Sequence, residues 1–116
     1  MPVGLKDTSR QEVKYASISG SGAITIVAAI AATAKGDFPA KKINVISYVV
    51  GGSATSTAIF KSGSTALSGA IPVTATGTVV GPWNPDGWFE TAAGEALVVT
   101  IASGNGVGHI SYIETW

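Results

Sequence analysis

The sequence predicts an all-β protein: a single antiparallel β-sandwich, jelly-roll-like, with about eight strands and an extended N-terminal arm. Three observations point there. From Glu12 onward apolar residues recur with a period of two, the spacing that puts alternate side chains on one face of a strand. The runs are rich in Val, Ile and Thr, which suit a pleated, half-buried surface. Clusters of Gly, Ser, Asn and Pro interrupt them at intervals of roughly 8–14 residues, the rhythm of strand and turn.

Taken in order, residues 1–11, "MPVGLKDTSRQ", show no periodicity and read as an arm; residues 12–116 read as the β-sandwich domain. Val13, Tyr15 and Ser17 alternate with Lys14, Ala16 and Ile18. Ile24, Ile26, Ala28 and Ile30 line one face of the next run. "KKINVISYVV" carries apolar groups on both faces, as a strand covered on both sides does. "STAIFKSG" is a fourth run. "TALSGAIPV" is a fifth, broken at Gly69 and confined to an edge by Pro72. A weak run at 78–80 and the short "WFET" follow. "ALVVTIAS" and "VGHISYIETW" close the chain as separate strands, with "SGSG" and "SGNG" read as hairpin turns. The Ala-rich stretch 28–34 has helix propensity, but its β-branched neighbours favour strand, and Gly36 ends it.

The charge pattern excludes more than it identifies. Of 116 residues, seven are basic and seven acidic, and only 12% are charged against about 25% in ordinary domains. Seven scattered cations do not make the basic face that phosphate neutralisation requires, so no nucleic-acid partner is expected. A chain this poor in charge and rich in apolar residues is expected to hide surface in an assembly, and edge strands low in Lys, Pro and charge invite pairing with other chains. The apolar run 22–34 is too short to span a bilayer, and Asp7 and Glu12 ahead of it do not suit a signal segment, so no membrane partner is expected and the chain reads as soluble and unprocessed.

Catalytic chemistry finds little to work with. Without Cys there is no thiolate nucleophile, disulfide or Cys-ligated zinc. The single His, His109, lies in the last strand run, and no nucleophile-elbow motif occurs. The acidic residues are too dispersed for a calcium site, so no metal and no cofactor is expected. Glu90 and Glu95 near Asp86 leave a glycosidase-like carboxylate pair as the one enzymatic reading, disfavoured because both Asp86 and Glu95 sit at turns. The chain reads as no enzyme.

The densest cluster of large side chains surrounds "NPDG". Pro85 sets φ for the second position of a type I turn, Asn84 can accept the backbone N–H two residues on, and Gly87 permits a left-handed exit. Trp83 and Trp88 therefore bracket a tight reversal. Trp83, Asp86, Trp88 and Phe89 form a candidate contact loop with three readings: a core plug, a subunit or scaffold contact, or a platform for sugar rings. Trp116, the last residue, is expected to be packed, against its own or a neighbouring chain.

"FKSGSTALSG" (60–69) and "NPDGWFETAAGEAL" (84–97), set among Gly/Ala/Ser/Thr-rich strands, resemble small single-domain β-sandwich proteins of tailed-bacteriophage virions, including head decoration (cement) proteins. The likeness covers roughly residues 41–115. It implies a structural protein, made in the host cytoplasm, that binds and stabilises a capsid lattice. Its partners would be the major capsid protein or another virion protein, and copies of itself, with a trimer favoured. The arm would then be a strap, with Met1, Pro2, Val3, Leu5, Lys6 and Arg10, together with Trp116, at the capsid or subunit interface. The alternative is a glycan-binding module of a tail fibre or head fibre.

Overall fold

The computed structural model describes residues 12–32, 39–75 and 77–116. Eight strands follow one another: β1 (Lys14–Val27), β2 (Lys42–Gly52), β3 (Ser56–Ser62), β4 (Thr65–Ala66), β5 (Ile71–Val73), β6 (Thr78–Gly81), β7 (Phe89–Glu90) and β8 (Leu97–Thr115). No helix occurs among the described residues. Every pairing between strands is antiparallel. The all-β, antiparallel expectation holds. The strands form one hydrogen-bonded sheet, however, where a jelly roll would have two.

β8 explains how one sheet encloses a core. β1 runs along one side of it, residues 14–20 against 106–112 and residues 22–27 against 97–101. On its other side β3 pairs with residues 97–101, and β2 pairs with residues 106–115. The sheet thus has two limbs, and three segments turn from one to the other at the same level: Gly20-Ser21-Gly22 in β1, residues 102–105 in β8, and residues 53–55 between β2 and β3. Ser21 alone lies opposite residues 102–105. Gly22 and Gly104 have φ of 65° and 68°, a left-handed conformation that residues with a Cβ rarely adopt. Side-chain and backbone bonds tie the corner together. Ser53 N–H donates to the Asn105 carbonyl at 2.8 Å, Asn105 N–H to Ser53 Oγ at 2.9 Å, and Ser103 N–H to Ser56 Oγ at 2.8 Å.

"SGSG" and "SGNG" are therefore corners and not hairpins, and each links two runs into one long strand. The count of eight strands survives because "TALSGAIPV" divides at Gly69 into β4 and β5, with Pro72 on an edge as expected. The apolar run that begins at Gly22 enters β1 and pairs with β8, while residues 28–32 are neither helix nor strand.

The core lies between the limbs. Ile18, Ile43, Val45, Tyr48, Val50, Ile110 and Tyr112 come from one; Ala58, Phe60, Leu97, Val99 and Ile101 come from the other, and all belong to one buried cluster. The aromatic contacts cross the gap. The Phe60 ring of β3 lies 5.3 Å from Tyr48 of β2 and stacks on Phe89 of β7 at 4.9 Å. Such pairs add about 0.5–1.5 kcal/mol beyond the area they bury.

Phe60→Ala removes a fully buried ring from the joint between limbs and should lower stability by about 3–5 kcal/mol in denaturant unfolding. Val80→Thr, a β-branched replacement at a position that is 56% exposed, should stay within about 0.5 kcal/mol of the parent.

Candidate functional site

The "NPDG" turn forms as its chemistry requires. Gly87 N–H donates to the Asn84 carbonyl at 2.9 Å, closing the turn, and Asp86 N–H donates to Asn84 Oδ1 at 3.1 Å. Gly87 has φ of 90°, and a Cβ there would collide with the side-chain oxygen of Asn44. The turn is sewn to the edge of β2: Asn84 N–H donates to the Ile46 carbonyl at 2.8 Å, and Trp88 N–H to the Val45 carbonyl at 2.7 Å. The loop thus rides on the limb that β2 shares with β8.

Three of the four loop residues have distinct surroundings. Phe89 is the core plug, stacked on Phe60 and 5.6 Å from Tyr48. Trp88 meets Tyr48 edge-on at 6.0 Å and donates its indole N–H to the Pro82 carbonyl at 2.8 Å, yet remains 42% exposed. Trp83 is 60% exposed. The two Trp rings are therefore surface groups, and the plug reading belongs to Phe89 alone. Asp86, Trp88 and Phe89 line an open cleft of about 190 Å³ together with Asn44, Gly87 and Glu90. Glu90 accepts from the Thr115 hydroxyl at 3.3 Å. Glu95 does not line this cleft; its carboxylate accepts from Ser62 at the end of β3. The carboxylate pair imagined from the sequence is thus split between two places, Glu90 beside the end of β8 and Glu95 beside the end of β3.

Beside this loop lies a second surface. On the outer face of the β1–β8–β2–β6 limb the ladder aligns Ser17, His109, Val49 and Val80 in one row, and Ser19, Val107, Gly51 and Thr78 in the next. Tyr15, Ser111 and Ser47 form a third, with the two serine hydroxyls hydrogen-bonded to each other. None of these side chains is an acid, a lysine or an arginine. Tyr15 is 75% exposed, and Val80 and Val107 are more than half exposed. Nothing local in the sequence marks this face, because its members come from four strands that only the register brings together.

Charge collects instead at the end of the limb. Glu114 takes Lys14 at 3.1 Å and Lys41 at 3.6 Å, and the Lys41 ammonium lies 4.6 Å from the centre of the Trp116 ring. Trp116 touches its own chain through Lys41, yet 57% of it stays exposed, so its own chain does not pack it. The hydrogen bond to Glu114 raises the Lys14 pKa above its ordinary 10.5. A raised folded value means that this contact contributes fully below the ordinary lysine range and fades as pH climbs through the folded pKa. Of the interface residues anticipated from the sequence, Met1, Pro2, Val3, Leu5, Lys6 and Arg10 lie outside the described residues. Among the described residues no cluster of His, Asp and Glu is arranged to hold a metal ion.

Comparison with family models, with curated proteins and with solved structures finds no match for this chain.

Gly87→Ala should disturb the loop without unfolding the sheet. A Cβ at a left-handed position costs about 1–3 kcal/mol. With Trp83 and Trp116 replaced by Phe, so that Trp88 is the sole indole, the near-ultraviolet circular dichroism from its contact with Tyr48 should fall while the far-ultraviolet strand signal stays.

Proposed function

We propose that this chain is a non-enzymatic structural protein of a virion, seated on a protein lattice in the manner of a head decoration protein. The observation that carries this reading is the part of the outer face formed by Tyr15, Val49, Val80, Val107 and His109, which holds no acid, lysine or arginine and is flanked by serines and threonines. Rows without a lysine or arginine offer no cation to neutralise a phosphate. They suit a protein surface, because docking desolvates few charges and the exposed apolar and aromatic groups supply the gain. The likeness of residues 60–69 and 84–97 to virion proteins supports the same reading, with the major capsid protein as partner. The test is to find the protein in particles. Mass spectrometry of virions purified from a lysate that carries the gene should detect the chain at a copy number comparable with the capsid protein, and antibody labelling should mark the heads. Its absence from purified particles would contradict the proposal.

A second reading rests on the cleft beside Trp88. An exposed indole next to Asn44, Asp86 and Glu90 has the composition of a sugar-binding platform, where the ring stacks on an apolar sugar face and the polar groups accept hydroxyl protons. If it binds glycans, oligosaccharides added to the protein should shift its tryptophan emission, and Trp88→Ala should remove the shift. An unchanged spectrum across a broad panel of host-surface glycans eliminates this reading.

A further inference from the structure

The two margins of the sheet are built differently. On the margin away from β1 the outermost strands, β4, β5, β6 and β7, are two to four residues long. Pro72, Pro82 and Pro85 interrupt or flank them. Short strands and prolines are ordinary ways to stop a sheet from recruiting another strand. β1 has neither. It is 14 residues long, holds no proline, and carries one charged residue, Lys14, at its very start. Among the described residues its only paired neighbour is β8, so no described strand takes up the row of backbone N–H and C=O groups on its other side. Left open to water, that row is a template for another strand.

The sequence of β1 says which strand fits. Around Ser21 it reads nearly the same in both directions: Ser17-Ile18-Ser19-Gly20 on one side, Gly22-Ala23-Ile24-Thr25 on the other. In an antiparallel pair, residues directly opposite point to the same face of the sheet. Two copies of β1 related by a two-fold axis at Ser21 would therefore set Ile18 against Ile24, Ser19 against Ala23, and Gly20 against Gly22. Ile18 and Ile24 both belong to the core side, one fully buried, the other partly. Ser17, Ser19, Ala23 and Thr25 belong to the outer side, where small uncharged groups meet. The corner also falls on the axis. A two-fold perpendicular to the sheet maps the bend of one copy onto the bend of the other with the same sense, so both limbs continue across the junction. Lys14 of each copy lies at opposite ends of the pair, far from its symmetry mate and already engaged by Glu114.

We propose that the free edge of β1 is a homodimerisation edge, on which a second copy of this chain pairs antiparallel about Ser21 and continues the folded sheet. Pairing supplies about one interchain hydrogen bond per aligned residue and covers the part of Ile24 that the monomer leaves exposed. A two-fold junction is isologous and closes on itself, so it ends at two copies. It replaces the threefold arrangement that the resemblance to decoration proteins implies. The inference does not depend on the virion reading, since it concerns the isolated protein.

The experiment uses the full chain and light scattering after size exclusion at about 0.1 mM, well above a micromolar dissociation constant. The parent should run at twice its 11.6 kDa mass. Ser21→Lys places two ammonium groups opposite each other on the axis and should run as a monomer, with an unchanged far-ultraviolet spectrum. Ser21→Glu should do the same, and an equimolar mixture of the two should recover the double mass. Because the chain has no cysteine, Ser21→Cys should cross-link to a covalent dimer under mild oxidation. A monomeric or trimeric parent overturns the proposal. So does a dimer that Ser21→Lys leaves intact and Ser21→Cys fails to cross-link, because its interface then lies elsewhere.

Discussion

The structure depends on β8 having a neighbour on both sides along both limbs while bending once. A 19-residue strand cannot stay flat and still help enclose a core. It bends at residues 102–105, and β1 and the β2–β3 connection bend beside it. The bend folds the sheet of β1, β8, β2 and β3 into two facing layers, with Tyr48, Phe60 and Phe89 filling the joint. Everything peripheral is added to that frame: β4 and β5 along β3, β6, β7 and the aromatic loop along β2. The hydrogen bonds among Ser53, Ser56, Ser103 and Asn105 pair the backbone N–H groups of Ser53, Ser103 and Asn105 where the ladder is interrupted.

Periodicity made the strands legible, because alternation is a local property of the chain. The corners were not legible. Ser-Gly-Ser-Gly and Ser-Gly-Asn-Gly supply the same left-handed glycines to a hairpin and to a bend within a continuous strand. The difference lies in which strand stands opposite, and that is set by Ile24 and Val99 meeting across the ladder, far apart in sequence. Merging the flanking runs is also what turns two expected sheets into one. The "NPDG" turn was readable to the individual hydrogen bond, since Asn84, Pro85 and Gly87 act on their own neighbours. The fate of the aromatics beside it was not. Phe89 pairs with Val45 and turns inward onto Phe60, whereas Trp83 and Trp88 leave the turn outside the ladder, and no local rule separates them. Asn44, which lines the cleft, gave no signal at all, because its role comes from lying under Gly87.

The surfaces follow from the same frame. A sheet that is bent once has an inner side for its large apolar groups and an outer side that needs none of them. On the limb of β1, β8, β2 and β6 the three outer rows hold serine, threonine, valine, glycine, one tyrosine and His109, while Lys42 and Glu90 lie further along the same face. At the limb end Glu114 pairs with Lys14 and Lys41, and the Lys41 ammonium lies over the ring of Trp116. A water-facing sheet ordinarily carries lysines and glutamates on its outer side and at its edges. Here the three rows from Tyr15 to Thr78 hold none of them, and β1 holds only Lys14 at its start, while prolines interrupt or flank the strands of the other margin.

The central claim is that the two limbs are one cooperative unit joined at the corner. Native-state amide hydrogen exchange tests it most directly. The account predicts that Val99 and Ile101 in one limb, and Ile110 and Tyr112 in the other, exchange only through global unfolding, with one common free energy and one common dependence on denaturant. If the amides of one limb exchange through a smaller opening while those of the other stay protected, the limbs are separate units and the account is contradicted.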